Sequence, residues 1–473
     1  MALTRRQFLL RSFGAMGAAA LAFERFGLGA AFALASDYKA LICIFLFGGS
    51  DNNNLLIPYD NYAEYAAVRS TPATLGLPQT SLRQISPQSA GSTFGLHPSL
   101  AGIQQLFTRG KAAIVCNVGP LVEPTTKSSY ANGVARLPFN LFSHSDQQTE
   151  WQTAVANGFI STGWAGRVAD SLADAYPSTS GFPIEVSMAG TPIFTTGTLE
   201  SPLALNPAPT RLDQSIRLDG FPNPPDNDPR YQALLDLLQT DDGFTMVRAT
   251  NQVTGQGVQI TSILRSVGDP VVAPFPLSPR TSLGNQLEQV AKLISLRDVL
   301  GFKRQIFFCS LGGFDTHNGQ VNGADATQGT HAGLLAQLNG AISAFYDATV
   351  AMGVENQVVT FTLSDFSRTF QPNGNVGSDH AWGSHQIVVG GPVRGNDLYG
   401  VPGPNNTVFP TLAPDGPDDT DSGGNARGRW IPTTAVEQFG ATLASWFGVS
   451  NADLPAVFPN IGNFGTSNLG FMP

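Results

Sequence analysis

Short apolar runs, bounded by glycines and polar clusters, recur along the chain and predict buried β-strands. The clearest runs lie at 39–47, 112–118, 304–311, 358–363 and 386–390, and two shorter ones at 183–188 and 192–196. Apolar residues at helical spacing predict helices at 100–109, 163–176, 283–300, 331–352 and 436–447. Strands that alternate with helices are typical of an α/β fold with a mostly parallel central sheet.

Acidic and histidine residues follow three of these predicted strands. The carboxyl ends of parallel strands meet at one edge of a sheet, so we expect these side chains to lie close together. Mixed carboxylate and imidazole ligands suit a divalent metal such as zinc, manganese or calcium. Each Asp taken alone also fits a helix cap or a turn. The candidate ligands are Asp51, Asp315, His317, Asp365 and His380, with His385 as a further candidate.

A hydroxyl group stands at a predicted helix start in LFSHSDQQTEWQ, residues 141–152. At such a position Ser143 is either a helix cap or a nucleophile in an anion-binding site. Ser145 competes with Ser143 for the second role. We expect the side chain of His144 to point away from the site, and we assign it no catalytic role.

Two long stretches carry little strand signal. Residues 201–282 are Pro-rich, with one helical patch near 231–238, and we interpret them as a loop-rich insertion or cap over the sheet. The stretch 400–429 contains an acidic cluster, which we interpret as a solvated loop; its spacing does not match an EF-hand calcium loop. The cluster consists of Asp415, Asp418, Asp419 and Asp421.

The first residues have the organisation of a twin-arginine signal peptide. Arg5 and Arg6 precede a Gly/Ala-rich apolar stretch that ends in Ala33-Leu34-Ala35. The uninterrupted apolar part is shorter than the roughly 20 residues of a spanning helix, so we predict a cleaved signal and no stable membrane span. The predicted domains are the signal, 1–35, and one large domain, 36–473. The predicted location is the periplasm or the medium, with the twin-arginine translocase as the export partner.

We expect that replacing Arg5 and Arg6 with lysine leaves the precursor in the cytoplasm, because the translocase recognises the paired arginines. Cell fractionation of the full chain, with blotting for precursor and mature forms, measures this. Normal periplasmic accumulation of the double variant would contradict the prediction.

Composition narrows the classes of function. The net charge of the whole chain is −9, and the predicted signal takes four arginines and one glutamate with it, leaving −12. An exported protein this acidic is not expected to bind nucleic acid by neutralising phosphates. The cysteines, Cys43, Cys116 and Cys309, all lie in apolar runs and predict core residues rather than disulfides or a zinc ribbon.

The order of these elements resembles the alkaline-phosphatase and sulfatase superfamily, and more closely the exported family known as domain of unknown function 1501. The resemblance covers nearly all of the predicted mature chain except 201–282. It rests on FGGSDNNNL at 47–55, LHPSL at 96–100, LFSHSDQQTEWQ at 141–152, GWAGR at 163–167, GGFDTH at 312–317, SDFSRTFQPNGNVGSDHAWGSHQIVVGG at 364–391 and GRWIPTTAVEQFGATLASWFG at 428–448.

The resemblance implies an alkaline-phosphatase-like three-layer sandwich that binds divalent metal. It implies a hydrolase of phosphate or sulfate esters on small molecules or polysaccharides, with Ser143 as nucleophile. The metal ligands would be Asp51, Asp315, His317, Asp365 and His380. The superfamily usually has Asp-His where this chain has Asp365-Phe366. Phenylalanine cannot ligate a metal, so the alternative is a catalytically degenerate scaffold or polymer-binding protein of the cell envelope.

Overall fold

The computed structural model describes residues 37–70, 73–177, 180–199, 202–216, 220–221, 227–240, 243–323 and 325–473. Chain contacts divide the protein into two units, Met1–Lys39 and Ala40–Pro473. The candidate site lies wholly in the second unit. The predicted signal peptide, 1–35, falls outside the described residues.

The described residues include a large central sheet and a small antiparallel one. The large sheet has nine strands in the order β11-β5-β10-β9-β1-β8-β6-β7, with β12 beside β5, and the small sheet has the order β2-β4-β3. The strands are β1 Lys39–Leu46, β2 Leu56–Pro58, β3 Arg83–Ile85, β4 Phe94–Leu96, β5 Ala112–Gly119, β6 Glu185–Ser187, β7 Leu203–Ala204, β8 Arg304–Leu311, β9 Val358–Ser364, β10 Ser384–Gly390, β11 Leu398–Tyr399 and β12 Thr434–Ala435.

Most recorded strand pairs of the large sheet are parallel. Strand β1 pairs with β9, β6 pairs with β7 and β8, and β5 pairs with β11 and β12, all in parallel register. Strand β10 is the exception, because it runs antiparallel to both β5 and β9. The α/β fold with a mostly parallel central sheet, predicted from the sequence, is confirmed.

Helices cover both faces of the large sheet. They are α1 Tyr62–Arg69, α2 Ala101–Thr108, α3 Lys127–Ala131, α4 His144–Thr153, α5 Trp164–Leu172, α6 Pro229–Leu237, α7 Thr245–Val267, α8 Ser282–Ser295, α9 Arg297–Leu300, α10 Thr330–Ala351, α11 Val436–Phe447 and α12 Leu454–Val457. Helices α2, α8 and α10 pack together on one side, and α5, α11 and α12 on the other. The result is a three-layer arrangement.

The core follows from strand alternation. In β1, Leu41, Cys43 and Phe45 share one hydrophobic cluster with Trp164 of α5 and Phe439 of α11. Successive side chains of a strand point to opposite faces, so the intervening residues of β1 face the other helical layer, and they are also buried. A strand buried on both faces is apolar throughout, which is why it was recognisable in the sequence.

Several predicted elements differ from the structure. The predicted strand at 192–196 is a short 3₁₀ turn, Ile193–Thr195, which begins after Pro192. Within 201–282 the structure has the 23-residue helix α7, which was missed because exposed apolar residues such as Met246 and Val253 blur its apolar stripe. This stretch also adds β7 to the edge of the large sheet.

The three cysteines are free and buried, as predicted. Within the part of the chain that the structure describes, no helix combines the length and the apolar character needed to cross a bilayer.

Candidate metal centre

Three loops leave the carboxyl ends of neighbouring strands and are tied to one another. Leu46 of β1 pairs with Ser364 of β9, so the two loops leave the sheet at the same level. The Ser364 hydroxyl donates to the Leu46 carbonyl and accepts from the Ser50 N–H, each at 2.9 Å. The N–H of Gly48 in turn donates to the Asp365 carboxylate at 3.2 Å. The loops after β1 and β9 therefore form one rigid unit.

The loop after β8 is packed against both of the others without space for side chains. A Cβ on Gly48, whose φ is +111°, would lie 2.3 Å from the backbone nitrogen of Asp315. A Cβ on Gly377 would lie 2.3 Å from the carbonyl of His317. Only glycine allows these approaches. They bring Asp315 and His317 to the place where His380 arrives from the loop before β10.

One carboxylate oxygen is the centre of a histidine cluster. Asp315 Oδ1 lies 3.1 Å from His317 Nε2, 3.4 Å from His144 Nε2 and 3.5 Å from His380 Nε2. The Nε2 atoms of His317 and His380 are 2.9 Å apart. Ligand atoms of His144, Asp315 and His380 all lie within 4.8 Å of one another, a spacing at which one metal ion can be held by all three.

Each histidine of this cluster has its other ring nitrogen held by an acceptor. Nδ1 of His144 lies 2.6 Å from Asp365 Oδ2, and Nδ1 of His317 lies 3.0 Å from Asp379 Oδ1. Nδ1 of His380 lies 2.6 Å from the carbonyl oxygen of Phe142. Acceptors of this kind place a hydrogen on Nδ1, so that each ring in its neutral form turns its Nε2 lone pair toward Asp315. Metal-binding histidines are held in this way by their outer partners.

This donor set fits a divalent cation. When all three rings are neutral, three lone pairs and a carboxylate oxygen converge, and without a cation they repel one another. Nε2 of His144 is buried and has no hydrogen-bond partner among the described residues. Burial is also the main reason why the pKa of His380 lies below its usual value, which favours the neutral, ligating ring. The structure therefore contains a possible His/Asp metal site.

A strained turn positions two of the three rings. Asn140 and Phe142 both adopt positive φ, 43° and 71°. This is a costly conformation for a bulky residue such as phenylalanine. It directs the Phe142 carbonyl to His380 Nδ1, and the Phe142 N–H donates to Gln147 Oε1 at 2.8 Å. Helix α4 starts two residues later, with His144 at its first turn.

Arg368 fixes the carboxylate of Asp315 from behind. Its side chain is fully buried, and Nη1 donates to Asp315 Oδ1 at 2.9 Å and to the Gly48 carbonyl at 3.1 Å. Burial by itself raises the pKa of Asp315, but the hydrogen bond and charge of Arg368 outweigh it and hold the pKa below its ordinary value. Asp315 is therefore kept as an anion.

Four of the five predicted ligands come together here, in two different positions. Asp315, His317 and His380 form the cluster itself. Asp365 touches the cluster only through the outer side of one ring. Its Oδ2 accepts from His144 Nδ1 and, at 2.8 Å, from Gln148 Nε2. Its geometry is that of an outer partner which orients a ligand.

His144 was missed, and the expectation that its ring points away from the site is wrong. The first residue of a helix was expected to project outward, but the turn at Asn140–Phe142 rotates the start of α4 toward the sheet edge. The His144 ring lies 4.3 Å from the His380 ring and 4.7 Å from Phe366. A histidine just inside a helix, preceded by residues with positive φ, leaves no signal in hydrophobic spacing.

Asp51 lies outside the cluster, in a buried ion pair with Arg69. Both side chains are fully buried, and Asp51 Oδ2 accepts from Arg69 Nη2 and Gln320 Nε2. Its other oxygen accepts from the N–H of Asn53. Both oxygens are therefore engaged by protein donors, and we leave Asp51 out of the metal site.

Ser143 precedes His144 but its hydroxyl faces another carboxylate. Ser143 Oγ donates to Asp146 Oδ2 at 2.6 Å, and Ser145 Oγ lies 3.2 Å from Ser143 Oγ and 3.4 Å from Asp146 Oδ2. The hydrogen bond from Ser143 is the main reason why the pKa of Asp146 lies below its ordinary value. The role of Ser143 as a nucleophile stays a prediction.

Two further sequence interpretations change. His385 is buried on β10, where Nδ1 accepts from the N–H of Asn117, and it is not part of the cluster. The acidic loop is not simply solvated, because Asp418 and Asp419 are buried. Asp419 accepts four backbone hydrogen bonds that close its own loop. These carboxylates serve as turn acceptors.

Residues 238–403 match the model of the family described as "Protein of unknown function (DUF1501)". The matched segment carries Asp315, His317, Asp365 and His380, whereas His144 lies outside it. No curated protein matches the chain.

Several solved structures are similar in fold at low identity. They include Ps i-CgsB in complex with k-i-k-neocarrahexaose, with 8% identity over 90% of this chain and 77% of that chain and a TM-score of 0.33. PsFucS1 sulfatase from Pseudoalteromonas sp. has 8% identity over 78% and 66%, with a TM-score of 0.31. The lipoteichoic acid synthase LtaP from Listeria monocytogenes has 7% identity over 84% and 75%, with a TM-score of 0.28.

Proposed function

We propose that the chain is an exported, metal-dependent hydrolase of phosphate or sulfate esters, carried by small molecules or polysaccharides. One observation supports this most: three imidazole Nε2 atoms and the Asp315 carboxylate converge at an exposed sheet edge, where the Asp315 side chain is 49% exposed. A purely structural ion pair needs neither three converging lone pairs nor access to solvent. A ligand cluster for a catalytic metal needs both.

We assign the metal to His144, Asp315, His317 and His380. Of the cations considered, zinc and manganese suit three imidazoles, whereas calcium prefers oxygen ligands. When bound, the cation supplies charge stabilisation for the ester oxygens in the transition state. The chain itself contributes Arg368, which keeps Asp315 ionised, and three acceptors that fix the orientation of the histidine rings.

Ser143 is our candidate nucleophile, because its hydroxyl already donates to a carboxylate that can accept the proton. The 2.6 Å contact between Ser143 Oγ and Asp146 Oδ2 is within the range expected between a nucleophile and its base. Ser143 also stands at the N-terminus of α4, a ten-residue helix, where free N–H groups favour an anion. Its chain neighbour, His144, belongs to the metal cluster.

We expect Ser143→Ala to abolish metal-dependent hydrolysis of aryl phosphates or aryl sulfates while the bound metal is retained. Asp146→Asn should lower kcat by about 10²–10⁴-fold, the usual contribution of a general base. Ser145→Ala is the matched control and should keep its activity, because its hydroxyl is the more distant of the two from Asp146. Initial rates with metal-loaded full chain, together with metal content, measure both effects.

A metal-loaded protein with no turnover across a broad panel of esters would contradict the hydrolase and favour the envelope scaffold. One observation supports that second candidate. Phe366 is fully buried, and its ring lies 4.7 Å from those of both His144 and His380. A hydrophobic ring thus fills the place where the resemblance leads one to expect a histidine.

A further inference from the structure

A polar cavity of about 540 Å³ opens beside the histidine cluster, between the loop 371–374 and the loop 421–429. Its volume is in the range of small-ligand sites. We propose that this cavity binds a second anionic group of the substrate, so that the substrate is a sulfated or phosphorylated glycan rather than an isolated monoester. The inference rests on the proposed function and specifies its substrate. The polar side chains that line the cavity are Gln371, Asn373, Asp421, Asn425, Arg427 and Arg429.

The positive groups of this lining are two arginines, and each is paired with one carboxylate. Arg427 Nη2 pairs with Asp379, and Arg429 Nη1 lies 3.2 Å from Asp421 Oδ1. Both arginines remain accessible, since the Arg427 side chain is 31% exposed and that of Arg429 is 29% exposed. Arginine offers five donors in a planar fork that matches sulfate and phosphate oxygens. Each ion pair uses one Nη group, so the second Nη group of each arginine can donate to an anionic ligand.

The two arginines also join the cavity directly to the metal cluster. Arg427 Nη2 donates to Asp379 Oδ2 at 3.1 Å, and Oδ1 of the same carboxylate holds His317 Nδ1. Arg429 Nε donates to the carbonyl of His380 at 3.0 Å. The cavity is thus separated from two of the histidines by single residues. A ligand that reaches both places must extend beyond the ester that is cleaved.

Amide side chains between the arginines point to a polyhydroxylated ligand. Gln371, Asn373 and Asn425 line the same wall, and an amide both donates and accepts hydrogen bonds. Sugar hydroxyls require this dual capacity, whereas a bare inorganic anion only accepts. Asn373 Nδ2 already donates to Asp379 Oδ1 at 3.0 Å and to the His317 carbonyl at 2.8 Å, which fixes the wall in place.

Binding of three glucose tetrasaccharides, one sulfated, one phosphorylated and one unmodified, tests the proposal by calorimetry on the metal-free full chain. We expect both charged ligands to bind and the unmodified one to bind at least about tenfold more weakly, because only the charged ones engage the arginines. The tighter of the two charged ligands identifies the ester class. Equal binding supports the shared anionic chemistry.

Asn425→Asp adds a negative charge to the cavity and should weaken binding of both charged ligands by about tenfold or more. Asn425 is exposed and is not part of the metal cluster. Asn356→Asp is the matched control, because Asn356 is exposed at the amino end of β9, away from the carboxyl edge, and undergoes the same change of charge. It should bind like wild type.

The proposal is overturned if neither charged tetrasaccharide binds, if the unmodified one binds as tightly, or if Asn425→Asp binds like wild type. These results leave the metal site untouched, because that site is judged from bound metal and from ester turnover. Conversely, charged-glycan binding by a protein that takes up no metal when zinc or manganese is supplied supports the cavity and contradicts the hydrolase.

Discussion

His144→Ala is expected to lower the affinity for zinc or manganese by more than about 100-fold, which exceeds the effect of removing an outer partner. The variant deletes a buried nitrogen that has no other partner among the described residues and lies 3.4 Å from Asp315 Oδ1. His317→Ala should behave in the same way. Competition with a chelator of known affinity, with metal counted by mass spectrometry, measures the change.

Asp365→Asn distinguishes the effect of losing an outer partner from the effect of losing a ligand. Asp365 contacts Nδ1 of His144 rather than the Nε2 atom that faces the metal position, so its replacement should lower metal affinity by about 10–100-fold. Ser145→Ala is the control on the same helix turn.

A metal that binds only the native state raises the melting temperature, so a chelator should lower the melting temperature of wild type but not that of His144→Ala. One equivalent of metal bound by His144→Ala with wild-type affinity would contradict this assignment.

Asp51→Asn is expected to destabilise the protein by about 3–5 kcal/mol, since it leaves the Arg69 guanidinium buried without its partner charge. Both side chains of this pair are fully buried. Arg69 also donates to the carbonyls of Thr369 and Phe370, so the loss loosens the loop that leads to His380. Urea unfolding of the metal-free protein measures the free energy. Metal affinity of the folded variant should stay close to that of wild type.

Two controls belong to this experiment. Glu123→Gln breaks the solvent-exposed pair with Arg136 and should change the free energy of unfolding by about 1 kcal/mol or less. Asp51→Asn combined with Arg69→Met removes both buried charges and should recover part of the loss. A stable Asp51→Asn variant that fails to bind metal would instead make Asp51 a ligand.

The destabilisation caused by Asp51→Asn should also depend on pH. Burial by itself raises the pKa of Asp51, but Arg69 and the hydrogen bonds from Gln320 and Arg69 outweigh it, so the pKa lies below its ordinary value of 3.8. A lowered carboxyl pKa contributes stability that is present above the unfolded pKa and is lost as the pH falls through the folded one. The difference between wild type and variant should therefore narrow on acidification.

Much of the fold was readable from local pattern. Strands β1, β5, β8 and β9 are apolar along their length, because a sheet covered by helices on both faces buries every residue of its inner strands. Helix α11 was readable for the same physical reason, since nearly all of its residues are buried. Helix α7 was not, because exposed apolar residues blur its stripe.

The sequence by itself determined which residues follow the strand ends, and therefore that Asp315, His317, Asp365 and His380 share one edge of the sheet. That inference needs only chain direction and the parallel arrangement of strands. Side-chain direction depends on contacts between distant segments, and those only the tertiary structure decided. The strained turn at Phe142 places His144 in the cluster. The ion pair with Arg69 holds Asp51 outside it. The contact with His144 Nδ1 makes Asp365 an outer partner rather than a ligand. The contacts responsible link residues that are 18 to 238 positions apart in the sequence. Local spacing of residues carries no information over such separations.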